Sequence, residues 1–261
     1  MKLISLNIWG GKKFGPLLEF IKSQASSTDI FCFQEVFRSS AGPEVSNGMK
    51  MNIFSDLVAA LPDHDGYFAP IQEQYDLHEK INFPAASGET IFAKRSLPIL
   101  SHGERFIYGS YNDVVVRDGL LDLPVAIQYI NIEGKSNRLT IAHLHGIVWP
   151  GKKEDSPARL EQSQNIINFL SEQPGEKILC GDFNLLPNTE SIQMIEKNGM
   201  KNLIKDFKIS TTRSIIEAAK YGGNLQHFAD YCFVSPSLKI KNFTVPTLAI
   251  SDHLPLILEF S

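Results

Sequence analysis

The chain opens on a short alternating apolar run. Lys2-Leu3-Ile4-Ser5-Leu6-Asn7 predicts a strand over residues 2–8. The period then lengthens. Pro16-Leu17-Leu18-Glu19-Phe20-Ile21 predicts a helix over 16–25, with proline near its first turn. Asp29-Ile30-Phe31-Cys32-Phe33-Gln34-Glu35 reads as a buried strand, and a helix over about 49–61 stops at Leu61-Pro62. Strands follow near 89–94, 97–108, 125–132 and 138–145. Ser156-Pro157 starts a helix over 157–170, with Leu160, Ile166, Ile167 and Leu170 at helical spacing. A strand at 177–181, a helix near 189–197 and strands near 228–234, 238–245 and 255–260 finish the pattern. The segments 38–48, 72–88, 109–122, 146–156 and 210–227 lack periodicity and read as loops that shape a cleft.

Strands and helices alternate early, and strands dominate later. With no repeat, linker or low-complexity tract, 1–261 reads as one α/β domain with two layers of sheet. Composition adds limits. No apolar run approaches the roughly 18 residues of a membrane span, and the first residues do not resemble a signal peptide. Cys32, Cys180 and Cys232 lie inside apolar strands. An odd, buried set favours reduced thiols and the cytoplasm over a disulfide framework. No Cys or His sits at ligand spacing from them. A net charge of −4 argues against coating duplex nucleic acid through phosphate contacts alone. It does not exclude a nuclease, because metal-binding carboxylates make a chain acidic and bound cations reverse the local field.

Polar residues end several apolar strands, where packing does not need them. Asn7 ends the first, and Glu35 ends the second. His143 and His145 end Ile141-Ala142-His143-Leu144-His145. Asp182 and Asn184 follow 177–181, Asp230 opens Asp230-Tyr231-Cys232-Phe233-Val234, and Asp252-His253 precede the last strand. In Gly181-Asp182-Phe183-Asn184 a period of two points Asp182 and Asn184 the same way and Phe183 into the core. The same four residues are also ordinary turn material.

Leu6-Asn7, Gln34-Glu35-Val36, His143-Leu144, Gly181-Asp182-Phe183-Asn184, Ala229-Asp230-Tyr231 and Ser251-Asp252-His253 together resemble the endonuclease/exonuclease/phosphatase superfamily, which is deoxyribonuclease I-like. The six pieces occur in the family's order and span positions 7 to 253. The resemblance implies a four-layer αββα sandwich, two face-to-face mixed β-sheets with helices outside. It implies a phosphoesterase that attacks phosphorus with water in one in-line step. Hard oxygen ligands suit Mg²⁺ or Mn²⁺. Glu35, Asn7 and Asp252 form the implied metal shell. Asp182 orients or deprotonates the water, Asn184 steadies the phosphate, and His253 stabilises the transition state while Asp230 fixes its tautomer. His143 is the implied general acid, with Glu89 as its orienting partner.

Other readings stay open. The His143-x-His145 pair shares a face and suits a transition metal; His145 is either substrate-facing or structural. Arg38 either touches a substrate phosphate or is solvated. Trp149 either stacks on a ring or anchors the surface. Lys12-Lys13 and Lys152-Lys153 either steer phosphate or lie on solvated faces. The substrate is a phosphate ester, with a nuclease or nucleotide-directed phosphodiesterase as the working choice and a lipid or small-molecule ester as the alternative. No protein partner is indicated. A rival from another class is a binding protein that kept the fold and lost catalysis; the competent residue at each expected position weighs against it.

Overall fold

In the computed structural model, residues 1–134, 138–217 and 226–261 are described. The elements run β1 (Lys2–Asn7), α1 (Phe14–Ala25), β2 (Ile30–Arg38), β3 (Val45–Ser46), β4 (Met49–Lys50), α2 (Ile53–Ala60), β5 (His64–Glu73), β6 (Ala86–Lys94) and β7 (Ile99–Tyr108). Then come β8 (Val115–Arg117), β9 (Leu120–Asp122), β10 (Val125–Glu133), β11 (Arg138–His145), α3 (Pro157–Glu172), β12 (Glu176–Asp182) and α4 (Glu190–Lys197). The chain closes with β13 (Lys201–Asn202), α5 (Leu203–Asp206), β14 (Asp230–Val234), β15 (Ile240–Thr244) and β16 (Leu256–Phe260).

Two six-stranded sheets carry the fold, in the orders β15-β16-β1-β2-β6-β5 and β13-β14-β12-β11-β10-β7. Each is mixed, because β1–β2 and β11–β12 are parallel while the remaining pairs are antiparallel. Strand parity builds the layers. In β1 and β2 the side chains of Leu3, Ile30 and Cys32 join the core shared with the second sheet. Ile4, Leu6, Phe31 and Phe33 face the other way, onto Leu17 and Ile21 of α1 and Leu57 of α2. On the second sheet Ile166, Phe169 and Leu170 of α3 and Ile192 and Ile195 of α4 form the outer cover. The result is the four-layer αββα sandwich. Ser156 caps α3 by accepting from Arg159 N, with Pro157 in its first turn.

The topology gathers chemistry at one end. The C-terminal ends of the parallel strands β1, β11 and β12 lie beside the N-terminal ends of the antiparallel β14 and β16. Positions 7, 145, 182, 230 and 252–253 therefore meet at one edge of the sandwich.

Three features depart from the periodicity reading. β5 is a ten-residue strand that Gly66 and Pro70 disguise; proline is tolerated because β5 is an edge strand. The helix expected from about 49 begins at Ile53, since Met49 and Lys50 pair with Val45 and Ser46. The presumed loop 109–122 folds into the β8–β9 hairpin. Part of the 210–227 loop, residues 218–225, lies outside the described residues. Among the described residues no helix is long and apolar enough to cross a membrane. Cys32, Cys180 and Cys232 are buried free thiols.

Candidate active site

The site begins with an irregularity in β2. Its pairing with β6 shifts register between Phe33 and Val36, and Glu35 sits there in the left-handed region at φ 58°. The bulge turns Glu35 out of the strand alternation and into a cleft of about 560 Å³. Its Oε1 accepts from Asn7 Nδ2 at 2.9 Å, while Oε2 is buried with no hydrogen-bond partner among the described residues. Burial raises the Glu35 carboxyl, and repulsion from Asp252 adds to it; His145 and the Asn7 amide pull it back.

Asp182 is the centre of the cluster. Its Oδ2 lies 3.2 Å from Asn7 Nδ2, 3.4 Å from His253 Nε2 and 3.6 Å from His145 Nε2. Its Oδ1 accepts from Asn184 N at 2.9 Å, a two-residue turn that holds Asn184 at φ 53°. Burial alone would raise Asp182, but the charges of His253, Lys153, His145 and Arg213 outweigh burial and hold it below the ordinary value. Phe183 points back into the core, edge-on to Tyr231 and Phe233. Gly181, at φ 127°, lets β12 approach β11: a Cβ there would stand 2.2 Å from Leu144 O.

His253 Nδ1 donates to both oxygens of Asp230 at 2.9 Å. Burial would lower this imidazole, but Asp230 foremost, with Asp182 and Asp252, raises it against Arg213. Arg213 Nη1 lies against His253 Nε2, and Nη2 donates to Asp252 Oδ2 at 2.8 Å. Asp182, Asp230 and His253 each offer a ligand atom within 4.8 Å of the others. His253 already engages Asp230 through Nδ1 and stands 3.4 Å from Asp182, so a cation there competes with those contacts. Glu35 Oε2, buried without a hydrogen-bond partner among the described residues, is better suited to a divalent cation, a hard ion that takes oxygen ligands.

Asn7, Glu35, His145, Asp182, Asn184, Asp230, Asp252 and His253 thus converge. His143 does not join them. It shares the face of His145 but lies one pleat deeper, about 7 Å along the strand, fully buried. Gln34 Nε2 donates to its Nδ1 at 2.9 Å, and its Nε2 donates to Gln128 Oε1 at 2.8 Å. Burial pushes its pKa down to about 3, so it is a neutral core residue. Glu89 does not orient it either. That carboxyl takes the backbone N–H of His145 and its own, and burial raises it to about 8. Nor do His143 and His145 form a joint metal site, because both ring nitrogens of His143 are engaged.

Arg38 and Trp149 also fall outside the cleft lining. Arg38 is exposed, with its guanidinium 5.2 Å from the Phe68 ring centre. Trp149 is half-buried beneath Arg117, 5.5 Å from its ring centre, while its neighbours Val148 and Gly151 line the cleft. Lys12 packs over Trp9. Two lining cations carried no clear sequence signal: Arg213, from an aperiodic segment, and Lys153, which looked like half of a surface pair. The cleft has one apolar wall, formed by Leu77, Leu120, Leu121, Leu123 and Val148.

Residues 4–253 match the model of the Endonuclease/Exonuclease/phosphatase family. A comparison with curated proteins finds no match. Among solved structures, a protein of that family from Leptotrichia buccalis superposes at TM-score 0.73 with 16% identity, covering 100% of this chain and 99% of that one. The Bacteroides thetaiotaomicron mannosyl-6-phosphatase Bt3783 gives 0.67 and 18%, covering 100% and 99%. The human Nocturnin catalytic domain, with a bound sulfate anion, gives 0.66 and 19%, covering 100% and 93%. At these identities the likeness speaks to the fold.

Proposed function

This chain belongs to the endonuclease/exonuclease/phosphatase family and is a phosphate-ester hydrolase, and we propose that it cleaves small, nucleotide-sized phosphate esters by in-line attack of water. The observation that carries this reading is the Asp182–His253–Asp230 chain, set in the same cleft as Glu35. Asp182, held ionised, accepts a hydrogen bond from the attacking water and takes its proton. His253, oriented through Nδ1 by Asp230, has the Arg213 guanidinium against its Nε2, and together they stabilise a phosphoryl oxygen as negative charge builds there. Asn184 steadies the phosphate. His145, at the open end of β11, is placed to pass a proton to the leaving oxygen, in the role first assigned to His143. Glu35, Asn7 and Asp252 would hold the Mg²⁺. A bound divalent cation neutralises phosphoryl charge and polarises the phosphorus–oxygen bonds.

Cleft size and lining favour a compact substrate over duplex DNA. A volume of about 560 Å³ is in the range of small-ligand sites. The apolar wall offers no phosphate contact for a long polyanion, and the net charge of −4 opposes one. A mannosyl-6-phosphatase and a sulfate-bound domain share the fold; a sugar phosphate and a tetrahedral anion both suit a compact pocket. The buried free thiols favour a reducing compartment such as the cytoplasm. The whole chain is read as one domain built around this site.

The test is a panel assay with Mg²⁺ and with EDTA, covering bis-p-nitrophenyl phosphate, a dinucleotide, a sugar phosphate, sphingomyelin, single-stranded DNA, RNA and duplex DNA. EDTA-sensitive turnover highest on the small esters is expected. Faster cleavage of duplex DNA would overturn the size argument, and silence on every ester would favour the binding-protein rival.

A further inference from the structure

Resting on the phosphoesterase reading above, we infer that Lys153 contacts the substrate and holds a non-bridging oxygen of the bound phosphate. Lys152 and Lys153 are adjacent, yet Lys152 is exposed and Lys153 is only 9% exposed. The Lys153 side chain lines the catalytic cleft with Asp182, His253 and Arg213. Among the described residues its ammonium makes no hydrogen bond and no ion pair. Arg213, by contrast, is tied to Asp252 at 2.8 Å. A buried ammonium that lacks a partner is costly, and such groups are normally paired.

The loop keeps Lys153 there despite that cost. Lys153 O accepts from Leu186 N at 2.8 Å. The buried Arg159 guanidinium donates to the carbonyls on either side, Lys152 O and, at 2.7 Å, Glu154 O. It also reaches Ile147 O at 3.1 Å and Val148 O at 3.2 Å. The backbone at 153 is therefore anchored on three consecutive carbonyls. Burial lowers the Lys153 ammonium, with Arg213 adding to it, while the charge of Asp182 works the other way without closing an ion pair. An ammonium with three free donors, fixed beside the water-handling carboxylate, matches a phosphoryl oxygen.

The experiment titrates inorganic phosphate into the Mg²⁺-loaded protein by calorimetry, for the parent, Lys153→Met and Lys153→Arg. Lys153→Met should weaken phosphate binding by about ten- to a hundredfold and raise KM more than it lowers kcat. Its thermal midpoint should stay level or rise, because an unpaired buried charge has gone. Lys153→Arg should recover part of the affinity. The assignment is overturned if Lys153→Met binds phosphate as tightly as the parent while the parent shows EDTA-sensitive turnover. It is equally overturned if Lys153→Met no longer folds, since that outcome makes the lysine structural. A parent with no EDTA-sensitive turnover on any ester sinks the phosphoesterase reading instead.

Discussion

His143 and His145 share a residue type, a strand and a face, and they differ by one pleat. That step separates two chemistries. His143 is sealed between Gln34 and Gln128 and is held neutral, and burial likewise keeps Glu89 protonated near pH 7. His145 meets ionised Asp182 at 3.6 Å and opens on the cleft. Among the described residues no cation acts on the Glu89 carboxyl, so desolvation wins there. The outer layer collects His253, Lys153 and Arg213 around Asp182, so attraction between charges wins. Depth along a strand, more than residue type, decides whether each histidine of this pair faces the cleft or the core.

The comparison breaks most completely if the outer layer proves dispensable. Asp182→Asn or His253→Ala should lower turnover of bis-p-nitrophenyl phosphate by about a thousandfold or more, with unfolding midpoints close to the parent. Parent-like rates in both variants would refute the charged layer as the centre of catalysis.

Next in size is the histidine pair itself. His145→Ala should reduce kcat by about a hundredfold and leave stability nearly unchanged. His143→Ala should cost about 2–4 kcal/mol of stability, from a cavity and two glutamines that lose their partner. Urea denaturation beside kinetics separates the two. A fully stable His143→Ala chain without activity would restore the general-acid role to residue 143.

Protonation sharpens the contrast further. Between about pH 4.5 and about 8 an unfolded chain gives up the Glu89 proton and the fold keeps it. Stability therefore falls as pH rises through that window, by about 1 kcal/mol per pH unit from this group. Glu89→Gln should flatten the decline. Denaturation midpoints at pH 5 and pH 8 give the answer, and an equal decline in both chains would refute the neutral layer. The smallest effect belongs to Arg38→Ala. Its guanidinium rests on Phe68 outside the cleft, so kcat/KM should change by less than about twofold.

Much of this was legible in the chain. Period two put Asp182 and Asn184 on one side and Phe183 in the core; both polar residues line the cleft, although a turn beyond β12, not strand parity, carries Asn184 there. Order along the chain brought Glu35, Asp230, Asp252 and His253 into the expected company. What failed was depth and identity of environment. Nothing in His143-Leu144-His145 says which imidazole stands at the open end; the register against β12 decides that, by pairing His145 with Asp182 and His143 with Cys180. Lys152-Lys153 read as either a phosphate-steering patch or a solvated face, because the Arg159 clamp on their backbone lies six residues on, inside a helix. The strand β5 was hidden by Gly66 and Pro70, whose turn-like signals are harmless at a sheet edge.

Gly181 touches no proposed substrate, yet it sets the gauge of the site. Because Leu144 O stands where its Cβ would be, any larger residue wedges β11 from β12 and moves His145 away from Asp182 at the mouth of the wedge. In a saturation library, position 181 should therefore tolerate substitution as poorly as the ionisable positions, and variants there should retain ligand-free folding while losing the alignment of both strand ends. A hydrogen atom in place of a side chain acts here as a dimensional tolerance, one that fixes a catalytic distance from behind.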